Sequence, residues 1–122
     1  MFTSEKILIV GLGLIGGSLA VALRALGRHR VLGYDIDELS MAQAIEQGII
    51  DQAVTDLQQA VRTVDVVVLA VPVQAIATLI RQLGPHLNQH TLLTDVGSVK
   101  GNIVATAYEV FGKPPSLSLI HI

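Results

Sequence analysis

The chain has 122 residues, 51% of them apolar, 15% charged and 3% aromatic, with a formal net charge of -2. That length suits one domain around one aliphatic core, and so much apolar surface argues against disorder. With no Lys/Arg cluster set among aromatics, the sequence carries no footprint for nucleic acid and no sign of a membrane surface.

Lys6 to Val10 (KILIV) is apolar after its lysine and rich in β-branched residues, the pattern of a strand buried on both faces of a parallel sheet. Leu14 to Leu26 reads as a helix stopped before Gly27, with Arg24 and Arg28 near its C-terminal end, where cations suit the dipole. Val31 to Tyr34 is a second short strand. Asp37 is placed to cap a helix over Glu38 to Gln47, which Gly48 ends. A short edge strand is expected between Ile49 and Val54, and Asp56 opens a polar helical turn reaching Arg62. Val64 to Val71 (VDVVVLAV) is the least ambiguous strand, one aspartate and otherwise aliphatic. Pro72 fits the first turn of a helix over Gln74 to Leu83, closed by Gly84-Pro85. Thr91 to Val96 is a further strand and Ser98 to Phe111 a final helix; the two prolines in Gly112 to Leu117 cannot continue it.

Strand and helix alternate with no repeat and no linker. The expected fold class is α/β: a Rossmann-type, doubly wound, mostly parallel sheet in the order 3-2-1-4-5, with helices on both faces. There is no cysteine, hence no disulfide framework and no thiolate nucleophile. No apolar run reaches the roughly 18 residues of a spanning helix, and Met1 to Lys6 lacks the order of a signal peptide. A cytoplasmic location is expected, and no metal.

Gly11, Gly13 and Gly16 form G-x-G-x-x-G between the first strand and its helix. Gly11 permits the tight turn, Gly13 lets a pyrophosphate approach the backbone, and Gly16 lets the helix lie close to the strand. The helix start at Leu14 and Ile15 adds unpaired N–H groups and the positive dipole end. A tight turn packed for its own sake is the alternative. Asp35 lies nineteen residues beyond Gly16, at the end of the second strand, where a carboxylate hydrogen-bonds the adenosine ribose. An acid there favours NAD and repels the 2′-phosphate of NADP; the lesser alternative makes Asp35 a turn residue, or leaves Asp37 as the only working acid. Arg28 and Arg30 precede the strand, at its far end. Val71 and Pro72 after the fourth strand, and Asp95 to Ser98 after the fifth, share the edge where such sheets bind ligands. Val71-Pro72 could line the nicotinamide side or be a plain corner, and Ser98 could cap its helix or meet a substrate.

With these residues in place, the chain resembles the N-terminal domain of the prephenate/arogenate dehydrogenase family, oxidoreductases of tyrosine biosynthesis. The likeness runs from Lys6 to Lys113, through ILIVGLGLIGGSLA, VLGYDID, Ala44 to Asp51, VVVLAVPV and LLTDVGSVKGNIV. Its most specific part is Thr94 to Lys100. The resemblance implies oxidative decarboxylation of prephenate or arogenate: hydride leaves the hydroxyl-bearing ring carbon for NAD, a base takes the hydroxyl proton, and carbon dioxide departs as the ring becomes aromatic. It also implies that Ser98 hydrogen-bonds near the substrate hydroxyl and the catalytic histidine, and that the full-length protein is a homodimer.

The chain departs from the family's pattern in two respects. The family's basic histidine sits in a Gly-His-Pro motif soon after the fifth-strand helix, and no such motif occurs. Gly84-Pro85-His86 has the residues in another order at a helix end, His29 and His90 are expected in loops at the opposite edge, and His121 lacks the flanking glycine and proline. The family's C-terminal helical domain is missing as well. Residues 1–113 are therefore expected to be the dinucleotide-binding domain, and 114–122 a non-native or disordered tail, since LSLIHI matches one reading frame of a common sequencing-adapter end. Alone, such a fragment would bind cofactor weakly and not turn over. Two other readings stay open: another NAD(P)-dependent dehydrogenase of the hydroxyacid or imine-reducing type, against which TDVGSVK speaks, and a nucleotide-binding or redox-sensing module with no chemistry of its own.

Overall fold

The computed structural model describes residues 5–27 and 29–95 in full and 119–121 as backbone. Its elements run β1 (Glu5–Val10), α1 (Leu14–Ala25), β2 (His29–Tyr34), α2 (Glu38–Glu46), β3 (Gln52–Ala53), α3 (Leu57–Ala60), β4 (Val66–Leu69), α4 (Val73–Leu83), a 3-10 turn (Gly84–His86), β5 (Leu92–Asp95) and β6 (Leu119–His121). Neighbouring strands are all parallel, in the order β3-β2-β1-β4-β5-β6. The expected order of five is present, and the chain reverses its winding direction between β1 and β4.

Burial on both faces explains the unbroken apolar strands, since alternate side chains point to opposite sides of the sheet. Leu8 and Val10 of β1 face a cluster completed by Ile76, Ile80 and Leu83 of α4. Ile7 and Ile9 face the other way, toward Ala20 of α1 and Ala44 of α2. Small residues on α1 let it lie near the sheet: its buried positions are Gly16 and Ala20.

Helix ends follow their chemistry. The Asp37 carboxylate accepts from the Leu39 N–H and the Ser40 hydroxyl at the start of α2, and Asp56 accepts from the Gln59 N–H at the start of α3. Gly48, at φ +71°, closes α2 with a paired bond set, Gly48 N–H to Ile45 O and Ile49 N–H to Ala44 O. Arg24 donates to the Gly48 carbonyl and pairs with Asp51 at 3.0 Å, so it serves the C-terminus of α2 as well as its own helix.

Several boundaries move. The expected strand Ile49–Val54 shrinks to Gln52–Ala53, because Ile49 and Ile50 are drawn into the closing turn of α2, both donating to Ala44 O. The ladder of the fourth strand is shorter than Val64–Val71. Asp65 instead closes the sheet edge: its carboxylate accepts from the Lys6 N–H, its own N–H donates to Lys6 O, and Leu92 N–H donates to Asp65 O. Pro72 is the N-cap of α4 rather than a residue inside it. His29 opens β2 opposite Glu5 and is not in a loop. Three residues of the expected tail, Leu119–His121, form β6, which pairs in parallel with the outer edge of β5. Val96 and the expected helix Ser98–Phe111 lie outside the described residues.

Candidate functional site

The glycine turn separates what the fold requires from what it leaves open. Gly11 has φ +102°, and a Cβ there would lie 2.3 Å from the Ala70 carbonyl oxygen. A Cβ on Gly16 would lie 1.9 Å from the Gly11 carbonyl oxygen. Both positions therefore need glycine for packing alone. Gly13 differs, with φ -72° and nothing within 4 Å of an added Cβ. Among the described residues no atom demands a glycine at 13, and the missing side chain leaves a cradle open toward the cleft.

The start of α1 is equally open. Its N-cap, Gly13, makes no side-chain bond, and the first turn holds no acidic residue. The N–H groups of Leu14, Ile15 and Gly16 have no partner within the helix, and the positive end of its dipole faces the same space. Pro72 likewise makes no side-chain cap on α4, whereas α2 and α3 are capped by aspartates. Of the four described α-helices, the two flanking the switch point are thus the ones left without a side-chain cap.

Asp35 closes the site from β2. One carboxylate oxygen accepts from the Leu12 N–H at 2.8 Å and the other from the Asp37 N–H at 2.8 Å, while Gly11 N–H donates to Tyr34 O at 2.7 Å. A carboxylate has about four lone-pair sites, so two bonds leave acceptor capacity. The reading of Asp35 as a turn residue is correct as far as its bond to Asp37 goes, and the bond to Leu12 goes beyond it.

These parts meet in one cleft of about 610 Å³. Of the residues expected at the site, Gly11, Gly13, Asp35, Val71 and Pro72 line it. Gly16 lies beneath it as a packing position, and Leu14 and Ile15 stand outside the wall with side chains 87% and 60% exposed. Ser98 lies outside the described residues. The remaining wall had no counterpart in the sequence reading: Ile36 at the rim, Leu57 of α3, and Ala75, Thr78, Leu79 and Gln82 of α4. A signal existed, since these four α4 positions form a stripe at helical spacing beside the buried stripe Ile76, Ile80 and Leu83.

The other candidates fall elsewhere. Arg30, the second residue of β2, lies opposite Lys6 and donates to Gln52; five residues of strand, about 16 Å, separate it from Asp35. His86 sits in the 3-10 turn with a ring nitrogen 2.7 Å from Arg62, and His90 lies in the turn that precedes β5, donating its N–H to the Asn88 side-chain oxygen. Among the described residues no group of three His, Asp or Glu gathers for a metal, and no helix is long and apolar enough to cross a membrane.

Known proteins are similar to this chain in sequence and fold. A prephenate dehydrogenase from Lactococcus lactis subsp. cremoris is 39% identical over 110 residues, 88% of this chain and 30% of the relative. The crystal structure of A. aeolicus prephenate dehydrogenase, in complex with hydroxyphenyl propionate and NAD+, matches with a TM-score of 0.82 and 33% identity over 98% of this chain and 41% of that one. Synechocystis arogenate dehydrogenase matches with a TM-score of 0.78 and 38% identity over 87% of this chain and 37% of that one. The chain spans less than half the length of each. The family model for the prephenate dehydrogenase nucleotide-binding domain matches residues 19–115, a stretch that begins beyond the glycine turn and so stands independently of it. By that match and by its relatives, the chain belongs to the prephenate dehydrogenase family and comprises its nucleotide-binding domain.

Proposed function

We propose that this chain binds NAD in the cleft at the β1/β4 switch point, as the cofactor-binding part of an enzyme that oxidatively decarboxylates prephenate or arogenate. The observation that carries the reading is Gly13, the glycine of the turn that the protein's own packing does not require. Gly13 and the N–H groups of Leu14, Ile15 and Gly16 would hold the diphosphate, matching its charge with the helix dipole. Asp35 would accept from the ribose hydroxyls, and its charge disfavours a 2′-phosphate. Arg30 is too far along β2 to neutralise one. Val71 and Pro72 supply an apolar wall that excludes water, and Ser98 would hydrogen-bond the substrate hydroxyl. When bound, the cofactor supplies a hydride acceptor for the ring carbon that carries that hydroxyl. The full-length protein would be a homodimer.

Calorimetric titration of the chain with NAD and NADP tests the cofactor assignment. Saturable binding of NAD, with NADP at least about tenfold weaker, is the expected result. NADP binding as tightly as NAD would overturn it. For the reaction, prephenate- or arogenate-dependent reduction of NAD by the full-length gene product is expected, and a full-length product that reduces NAD with neither compound would refute the substrate class.

A further inference from the structure

We infer that Asp35 is a positioning residue for the diphosphate cradle as well as a contact for the ribose, so that one carboxylate couples the two halves of the cofactor site. The inference rests on the reading of the cleft as a dinucleotide site. Its physical basis is the bond from the Leu12 N–H to Asp35 across 23 residues of sequence, beside the Gly11 N–H to Tyr34 O bond. The end of β2 thereby holds two consecutive amides of the turn that presents Gly13. Asp35 is half-buried and its other oxygen is engaged by the Asp37 N–H, which fixes the carboxylate plane. Removing the carboxylate releases the Leu12 amide and frees the Gly11–Leu12 peptide, one unit before the peptide that joins Leu12 to Gly13.

One consequence concerns cofactor preference. A shorter residue at 35 makes room for a 2′-phosphate, yet it loosens the cradle for the diphosphate that NAD and NADP share. Asp35→Ser is therefore expected to weaken NAD without a matching gain for NADP. A change of preference requires a new acceptor for the Leu12 N–H together with a cation near the ribose.

The sign of one binding change separates this role from a ribose contact alone. The probe is 2′,3′-dideoxy-ADP, which keeps the diphosphate and lacks both ribose hydroxyls. If Asp35 acted only on the ribose, Asp35→Ala would leave this probe unaffected, or strengthen it by removing a negative charge near the diphosphate. Positioning predicts the opposite: binding about fivefold or more weaker, the size of one lost hydrogen bond, with thermal unfolding still cooperative. Unchanged or tighter binding would overturn the inference. Amide exchange in the unmodified chain gives a second readout that needs no variant. The Leu12 N–H is expected to exchange far more slowly than an open turn amide, and free exchange there sinks the inference even if NAD binds. If the unmodified chain binds neither NAD nor ADP while Leu12 is protected, it is the dinucleotide reading that fails.

Discussion

Gly13 and Gly16 stand three residues apart in one turn and answer to different constraints. At Gly16 an added methyl meets the Gly11 carbonyl oxygen, and at Gly13 it meets nothing. Gly13→Val is therefore expected to unfold within a few degrees of the parent and to lose detectable NAD binding, because the new side chain fills the cradle. Gly16→Ala is expected to cost about 2 kcal/mol or more, since the clash is with backbone and cannot be relieved by a rotamer change. Thermal unfolding and NAD titration of the two variants check both halves, and equal effects of the two on stability would contradict the division. The spacing of the glycines was legible in the sequence. The difference between them was not, because it depends on where Ala70 and the start of α1 come to lie.

The four described helices that begin along the ligand edge are treated unequally. Asp37 caps α2 through two bonds and Asp56 caps the single turn of α3, while α1 and α4 begin without a side-chain cap. An uncapped helix start forgoes about 1 kcal/mol of stabilisation, and here it leaves donors for an anion. Asp37→Ala is expected to lower stability by about 1 kcal/mol, read as a lower urea midpoint at constant slope, and to leave NAD affinity within about twofold. A large loss of affinity would mean that Asp37, rather than Asp35, is the working acid. The described helices were legible from their apolar spacing and their capping residues. The edge strand was misjudged in length because the closing turn of α2 captures Ile49 and Ile50, a competition between a helix end and a strand that local sequence does not decide.

At the scale of the molecule, the two edges of the sheet carry different surfaces. The cleft of about 610 Å³ lies at the C-terminal edge, and a separate polar cleft of about 440 Å³ at the other end includes Lys6, Arg30 and Thr63. Hydrogen exchange should reflect this polarity. Saturating NAD is expected to slow exchange at residues 11–17, 34–37 and 70–76 and to leave residues 59–63 and Arg30 unchanged. Protection confined to the Lys6 edge would place the ligand at the wrong end of the strands. The same ligand is expected to raise the unfolding temperature, by mass action on the folded state.

What the sequence determined by itself is everything that follows from short-range periodicity and stereochemistry: strands buried on both faces, the helices with their aspartate caps, the parallel α/β class and the glycine turn. These depend on residues within a turn or two of each other, and right-handed crossovers then leave few sheet orders open. The tertiary structure decided what depends on distant residues meeting: the α4 wall of Thr78, Leu79 and Gln82, the packing demand on Gly11 made by Ala70, and the Leu12 amide held by Asp35. Each is set by the placement of β4 and β2 on either side of β1. No local pattern encodes such a contact, because a side chain's partner across a sheet is chosen by strand order and register.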